Sequence, residues 1–300
     1  MPLTIFAQSS PRSQNREKWF FPLIASLIGI SIISGCAQIN SRLTDISSPL
    51  GNSQEKPVSI SLADSSVYTG KLKNGLFHGH GKLIWRNGKK YVGSFKNGLF
   101  DGMGKLETPD GDIYEGYFRQ GLYQGTGILT FRNGNQYHGD FENNLMHGKG
   151  TFLFSNGDIY RGSFRQGLFH GEGDLIIKHQ GRYHGNFSNG NYEGKGIYVY
   201  KSGKKYAGEF HNGRFQGKGV MVFKNGDRYV GQFKYGKFNG KGTFTWHNGN
   251  YYQGYFKDDL MHGIGKCKKH KTIAPCEYRN NQLYHFGNKQ PGNHNHRYQT

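Results

Sequence analysis

Hydrophobic residues are too few in this 300-residue sequence to fill a thick globular core. They make up 34% of the chain, whereas glycine contributes 47 residues and tyrosine and phenylalanine together contribute 42. Glycine without pattern would indicate disorder, but here it recurs in fixed phase with aromatic residues, which disordered chains have few of. The composition therefore argues against an ordinary globule and favours a thin, elongated sheet.

The sequence also lacks an apolar run of the ~20 residues that a transmembrane helix needs. Its apolar amino-terminal stretch has only 15 residues, 19–33, and follows Arg12, Arg16 and Lys18. This order and length are typical of a secretory signal peptide. The stretch ends in the segment 33–36, Ile-Ser-Gly-Cys, which resembles the lipobox of bacterial lipoproteins.

That resemblance implies that a diacylglyceryl group is attached to Cys36 and that residues 1–35 are then removed. An uncleaved anchor helix with an incidental cysteine is the alternative. Ala37 follows the cysteine, which in such lipoproteins is compatible with delivery to the outer membrane. We therefore expect a lipoprotein of the bacterial cell envelope that faces the periplasm, with a flexible tether over residues 36–57.

Cysteine is scarce, with three residues in the chain. Besides Cys36 there are Cys267 and Cys276, nine positions apart. They could form a disulfide across one hairpin in an oxidising periplasm, or they could be unpaired packing residues. The sequence does not fix the geometry that would decide between them.

Acidic residues are few relative to basic ones. The net charge is +19, and a chain that starts at Cys36 keeps 36 basic and 19 acidic groups. Such a surface attracts anionic partners, among them phospholipid head groups and acidic proteins, while no nucleic acid is expected. The alternative is that the charge only keeps the repeats soluble, because the lysines are not gathered into one run.

A tyrosine recurs every 23 residues without any insertion, and we number each repeat from this tyrosine as position 0. Glycine stands at positions +2, +11 and +13, Phe at +4 in all but the first repeat, and a large side chain usually stands at +17. The nine tyrosines are Tyr68, Tyr91, Tyr114, Tyr137, Tyr160, Tyr183, Tyr206, Tyr229 and Tyr252.

Residues at 0, +2 and +4 share one face of an element of period two, which predicts β-strands. Asn-Gly pairs near +6 and near +19, such as 97–98 and 87–88, predict tight turns. Each repeat is thus predicted to be one hairpin. A size argument predicts the register: Tyr opposite the aromatic at +17, with the other large side chains opposite glycine.

The pattern Tyr-x-Gly-x-Phe-x-x-Gly-x-x-x-Gly-x-Gly, seen at residues 91–104, resembles the MORN repeat. The resemblance covers residues 68–266 and implies an all-β fold, an elongated single antiparallel meander of nine hairpins. Members of this family are mostly interaction modules, and lipid binding has been attributed to some. We expect a cap strand at 58–67, a degenerate capping hairpin at 267–285 and a disordered tail at 286–300.

Candidate catalytic groups do not converge in the sequence. Histidine recurs at +10, but Asp, Gln, Glu and Asn fill this position in other repeats, so a polar position beside the turn is favoured over a metal-binding ladder. Residues 236–243 (GKFNGKGT) lack the phosphate-loop spacing and have counterparts in the other repeats. We expect no enzyme activity, metal or cofactor. The histidines are His78, His147, His170 and His262.

Aromatic residues at +9 are the candidate binding residues. They could pack over the ring-bearing face of the sheet, or they could form an exposed stripe that binds a partner. Packing is the favoured interpretation, because a single sheet must cover that face. The candidates are Phe77, Phe100, Tyr123, Phe169, Tyr192, Phe215 and Phe238.

The expected function is a membrane-anchored scaffold that holds a protein partner or a second copy of itself. Direct binding of anionic phospholipids and a role as regulatory subunit of an enzyme are the alternatives.

Overall fold

The computed structural model describes residues 56–288, which form strands and turns. The predicted signal peptide, Cys36, nearly all of the tether and the tail from residue 289 lie outside the described residues. The described chain divides into two compact units, residues 56–175 and 176–288, and each is described by itself. No helix among the described residues has the length and hydrophobicity that crossing a bilayer requires.

The first unit is an antiparallel meander. Strands β1 to β10 pair in chain order, each with the next. The last two residues of β11 belong to the second unit. The strands are β1 (Val58–Ser61), β2 (Val67–Lys73), β3 (Leu76–Ile84), β4 (Lys90–Lys96), β5 (Leu99–Glu107), β6 (Ile113–Arg119), β7 (Leu122–Thr130), β8 (Gln136–Glu142), β9 (Leu145–Leu153), β10 (Ile159–Arg165) and β11 (Leu168–Ile177).

The second unit is a meander of the same kind. Strands β12 to β21 pair antiparallel in chain order. They are β12 (Gly181–Ser188), β13 (Asn191–Tyr200), β14 (Lys205–His211), β15 (Arg214–Val222), β16 (Arg228–Lys234), β17 (Lys237–Thr245), β18 (Tyr251–Lys257), β19 (Leu260–Lys269), β20 (Thr272–Arg279) and β21 (Gln282–Phe286).

The observed register corrects the predicted one. In the hairpin β6–β7, Tyr114 pairs with Leu129 at +15, the glycines at +2 and +13 face each other, and Phe118 pairs with Tyr123 at +9. The predicted pairing of the tyrosine with +17 is wrong, because Phe131 lies beyond the end of β7 and its N–H opens the turn by donating to the Asn135 carbonyl (2.9 Å). A β-bulge after Gly116 shifts the register, so alternation cannot be counted through the whole hairpin.

Two kinds of turn connect the strands. At +6 and +7 both residues have positive φ, as at Asn97 (51°) and Gly98 (83°), which suits the short hairpin turns that favour Asn-Gly. The turn after +17 is longer, and there only the glycine of the pair has positive φ, as at Gly88 (84°). Its asparagine instead accepts a hydrogen bond from the N–H two residues on, as Asn87 does from Lys89 (3.0 Å).

Within each unit, positions 0, +4, +9 and +15 lie on one side of the sheet, which we call the inner face of that unit. Their rings and aliphatic side chains are buried and form the core. The opposite side, the outer face, carries positions +1, +3, +12 and +14. At the amino-terminal end β1 pairs with β2, and at the carboxyl-terminal end β20 and β21 continue the meander past the last repeat.

Candidate interaction surface

The repeating tyrosines are structural. All nine have no exposed surface, and each hydroxyl donates to the backbone carbonyl at +3, as Tyr114 does to Tyr117 (2.9 Å). A Cβ added at Gly116 or at Gly127 would come within 2.6 Å of the Tyr114 hydroxyl, so the ring lies directly over this glycine pair. Burial raises the pKa of the Tyr114 hydroxyl far above its ordinary value.

The candidate aromatic residues at +9 cover the other side of these rings. Tyr123 stacks on Tyr114 with the ring centres 3.7 Å apart, and Phe169 stacks on Tyr160 at 3.6 Å. All but the half-buried Tyr192 are buried. They are therefore part of the core and do not form an exposed stripe, because the tyrosine beneath them needs a cover that a single sheet does not otherwise supply. The residues are Phe77, Phe100, Tyr123, Phe169, Tyr192, Phe215 and Phe238.

Position +10 supplies acceptors to the next repeat. Gln124 accepts from the N–H of Asn143 (3.2 Å), and Glu193 accepts from that of Asn212 (3.0 Å). The Asn212 N–H and the His211 side chain lower the pKa of Glu193. Among the described residues no group of His, Cys, Asp and Glu is arranged to hold a metal ion. The carboxylate and amide side chains at +10 thus stabilise the turn of the next repeat. His78, His147, His170 and His262 occupy the same row, and the Nδ1 atoms of His78 and His170 are buried without a hydrogen-bond partner in the described part of the chain.

The two remaining cysteines lie at the end of the second unit. Cys267 occupies +15 of the last repeat, on β19, and Cys276 lies on β20. A disulfide joins them, and both are buried. The bridge ties the last repeat to the strand that covers it.

The basic residues are distributed unequally between the two units. Residues 56–175 contain 14 basic and 11 acidic groups, whereas residues 176–288 contain 19 basic and 6 acidic groups. The excess positive charge of the described chain therefore lies mostly in the second unit.

Each acidic group of the second unit already has a partner. Four of them, Glu193 and Asp227 among them, accept hydrogen bonds from backbone N–H groups, as Glu209 does from Lys218 (3.3 Å) and Asp259 does from Phe238 (2.7 Å). The other two contact a basic side chain, which leaves most of the lysines without a counter-charge. Asp227 also contacts His247, and the other two pairs are Asp258 with Lys237 and Glu277 with Arg279.

Three of these lysines occupy +12 in successive repeats, on the outer face. Lys195, Lys218 and Lys241 lie on β13, β15 and β17, are exposed, and form no ion pair with any described residue. We call them the lysine row. These lysines were not among the candidates predicted from the sequence, because they are 23 residues apart along the chain and are brought together only by strand pairing. The sequence signal that could have identified them is the recurrence of lysine at position +12.

A second row runs beside the lysine row, two positions further along the strands. It consists of the cross-strand pairs Ile197–Ala207 and Val220–Val230, which we call the aliphatic row. Ile197 is 46% exposed and Val230 36%. The outer face of the second unit thus presents parallel basic and aliphatic rows.

Comparison with known proteins identifies the repeats. The MORN repeat family matches nine segments of the chain, residues 68–90, 91–113, 114–136, 137–159, 160–176, 183–205, 206–228, 229–251 and 252–270. No match was found among the curated proteins.

Several solved structures are distantly similar to this chain. The SAS-4 (dCPAP) TCP domain of Drosophila melanogaster, solved with a proline rich motif of Ana2 (dSTIL), is 8% identical, with a TM-score of 0.34, over 71% of this chain and 99% of that one. The wild-type TCP10 domain of Danio rerio CPAP is 10% identical, with a TM-score of 0.37, over 67% and 94%. These likenesses are too distant to bear on function. The nine matched segments cover well over half of the chain, which therefore belongs to the MORN repeat family.

Proposed function

We propose that the protein is a non-catalytic scaffold that binds a protein partner, or a second copy of itself, through the outer face of its repeats. The observation that carries the proposal is the contrast between the two faces. The inner face is filled by buried rings, whereas Met103, Tyr255 and Ile264 on the outer face are 61%, 51% and 71% exposed. Apolar side chains exposed among charged ones are characteristic of interaction surfaces.

The arrangement of the polar groups supports a role without catalysis. Catalytic sites bring unlike titratable groups together in one pocket. In this chain the polar residues beside the turns follow one another in rows along the repeats, and acids such as Glu193 and Asp259 accept hydrogen bonds from backbone N–H groups. The proposed function therefore involves no cofactor.

Attachment to a membrane is the second part of the proposal. The order of basic residues, apolar stretch, Ser34, Gly35 and Cys36 supports a lipid anchor at Cys36 in a bacterial envelope, with the outer membrane favoured and the repeats in the periplasm. The disulfide between Cys267 and Cys276 supports an oxidising compartment. The tether would hold the first strand, which begins at Val58, away from the lipid surface.

Site-specific photo-crosslinking in intact cells tests the proposal. A photoreactive amino acid is placed at Met103 or Ile264 on the outer face and, as the matched control, at Tyr235, a turn residue that is 67% exposed. We expect adducts with a defined protein from the two outer-face positions and weaker adducts from the turn. Cys36→Ala should shift the chain from the membrane fraction to the soluble fraction. Outer-face adducts no stronger than those from Tyr235 would contradict the scaffold.

Direct binding of anionic phospholipid head groups is a second candidate, favoured by the lysines of the second unit that have no acidic partner. Electrostatic binding of this kind weakens steeply as salt is added. Co-sedimentation of the Cys36→Ala protein with phosphatidylglycerol vesicles, lost at high salt, is the result this candidate predicts. Absence of the protein from the vesicle pellet at low salt would reject it.

A further inference from the structure

The spacing of the lysine row is set by the sheet. Lys195 pairs with Glu209, Lys218 with Gln232, and Lys241 with Tyr255, so the row crosses β13 to β18 at right angles to the strands. Neighbouring strands lie about 4.8 Å apart. Successive lysines, two strands apart, therefore attach to the sheet roughly every 10 Å.

One carboxylate, that of Glu209, interrupts the row. One of its oxygens accepts from the N–H of Lys218 (3.3 Å). Gln232 occupies the same position in the next repeat and makes the same bond to the N–H of Lys241 (3.2 Å) with its amide oxygen. The negative charge of Glu209 is therefore not needed for the bond that it makes, and it only reduces the positive potential of the row.

The aliphatic row limits what can bind beside the lysines. Residues at +12 and +14 lie about 7 Å apart on the same face of a strand, so a ligand that spans both rows needs anionic groups on one side and apolar groups on the other. A polypeptide can provide this combination. A phosphate backbone carries charges at closer intervals, and a fluid head-group layer has no fixed spacing.

We propose that the outer face of the second unit binds an extended acidic segment of a partner protein, laid across the strands with carboxylates on the lysine row and apolar side chains on the aliphatic row. A polyproline II segment has three residues per turn and rises about 9.3 Å per turn. An acidic residue at every third position would thus meet one lysine per repeat. The inference rests on the proposed function in taking the outer face as the binding surface.

Peptide binding to the purified Cys36→Ala chain tests this assignment. The probe is a fluorescent peptide of repeated Glu-Pro-Val triplets, and its control has the same composition with the glutamates contiguous. We expect the triplet peptide to bind several-fold more tightly than the control peptide. Equal affinity for the two peptides would overturn the proposal, because the row would then act only as unspecific charge.

Two sets of matched variants locate the binding surface. Replacing Lys195, Lys218 and Lys241 together by Gln should weaken binding of the triplet peptide by about ten- to a hundred-fold, as expected for losing three modest ion pairs. Replacing three exposed turn lysines of the same unit by Gln removes the same charge and should change binding less than about three-fold. Equal losses in the two sets would overturn the proposal. The control lysines are Lys201, Lys224 and Lys271.

A gain-of-binding variant makes the test independent of any loss of folding. Glu209→Gln keeps an oxygen for the Lys218 N–H and removes the only carboxylate of the row, so the triplet peptide should bind about two- to five-fold more tightly. An unchanged or weaker affinity would contradict the proposed contact.

Two experimental outcomes would rule out the acidic segment without ruling out the scaffold. Crosslinks from Met103 and Ile264 that persist without any peptide binding would reject the acidic segment and leave the scaffold standing. Loss of anionic-vesicle binding in the row variant, with peptide binding unchanged, would assign the lysines to a membrane surface and overturn the acidic segment.

Discussion

The tyrosine at position 0 and the two glycines beneath it form one packing unit. Facing glycines leave bare backbone on the inner face, and the ring of Tyr114 lies against it while Tyr123 stacks on the opposite side at 3.7 Å. The edge of Phe141 from the next repeat contacts the same ring, with centroids 5.0 Å apart. A large aromatic side chain buried in this way contributes strongly to stability, and it does so here without a second layer of structure.

Gly127→Ala tests this packing unit. The three atoms nearest to an added Cβ all belong to the Tyr114 side chain, at 2.6 to 2.8 Å. The ring must therefore move, and we expect a loss of about 1–3 kcal/mol in the free energy of unfolding. The matched control is Thr126→Ala, the exposed neighbour on the same strand, which should cost no more than ~0.5 kcal/mol. Urea denaturation followed by circular dichroism measures both.

A double-mutant cycle identifies the cause of the loss. Tyr114→Ala alone should cost about 3–5 kcal/mol, and Gly127→Ala added to it should cost less than ~1 kcal/mol, because the ring that it displaces is gone. Additive losses would mean that the glycine is needed for its backbone and not for the ring above it.

At the scale of the hairpin, the sequence predicted the strands and both turns but not the register. The 23-residue recurrence and the Asn-Gly pairs predict the positions of the turns, because few residue types other than glycine and asparagine adopt positive φ. The register depended on the bulge after Gly116, and no residue type marks a bulge where glycine is already frequent. Phe131 and its equivalents were therefore assigned to the strand although they open the turn.

The same limit applied to the candidate site. Stacking of the +9 rings on the tyrosines could be weighed from the sequence, because a single sheet needs a cover for its apolar face. The recurrence of lysine at +12 is visible along the chain, but only strand pairing shows that these lysines are neighbours on one face. Predicting which side chains are neighbours across a sheet requires the strand register, and the predicted register was wrong.

The hairpin of β19 and β20 differs from the other hairpins of the described residues in being closed by a disulfide. In the Cys36→Ala background, where Cys267 and Cys276 are the only cysteines, reduction should cost about 2–3 kcal/mol, as expected for a loop closed across nine residues. Hydrogen exchange should become faster in β19 to β21 and stay unchanged in β13 to β15. Uniform acceleration through the second unit would show instead that the bridge stabilises the whole unit cooperatively.

At the scale of the whole molecule, the hydrogen bonds that join repeats within each unit, among the described residues, connect neighbouring repeats. In the second unit the N–H of Gly213 donates to the Tyr192 carbonyl (3.0 Å), and that of Gly236 donates to the Phe215 carbonyl (2.9 Å). Side-chain links have the same range, as in Gln216 accepting from Tyr235 (3.2 Å). Stability in such an array is approximately a sum of repeat and nearest-neighbour contributions.

Because repeats interact with their neighbours, removal of one complete 23-residue repeat should be tolerated. Deleting residues 206–228 joins Lys205 to Tyr229, so that each tyrosine again follows the turn that it requires and Glu193 gains the N–H of Tyr235 in place of that of Asn212. We expect a folded chain with undiminished strand content per residue and a thermal midpoint only a few degrees lower. Deleting only residues 206–213 removes Tyr206 but leaves Phe215 and Gly219, which pack against its ring, and should lower the midpoint far more. Far-ultraviolet circular dichroism during heating compares the two. If the longer deletion proved as damaging as the shorter one, the repeats would depend on contacts beyond their nearest neighbours, and the additive description of the array would be wrong.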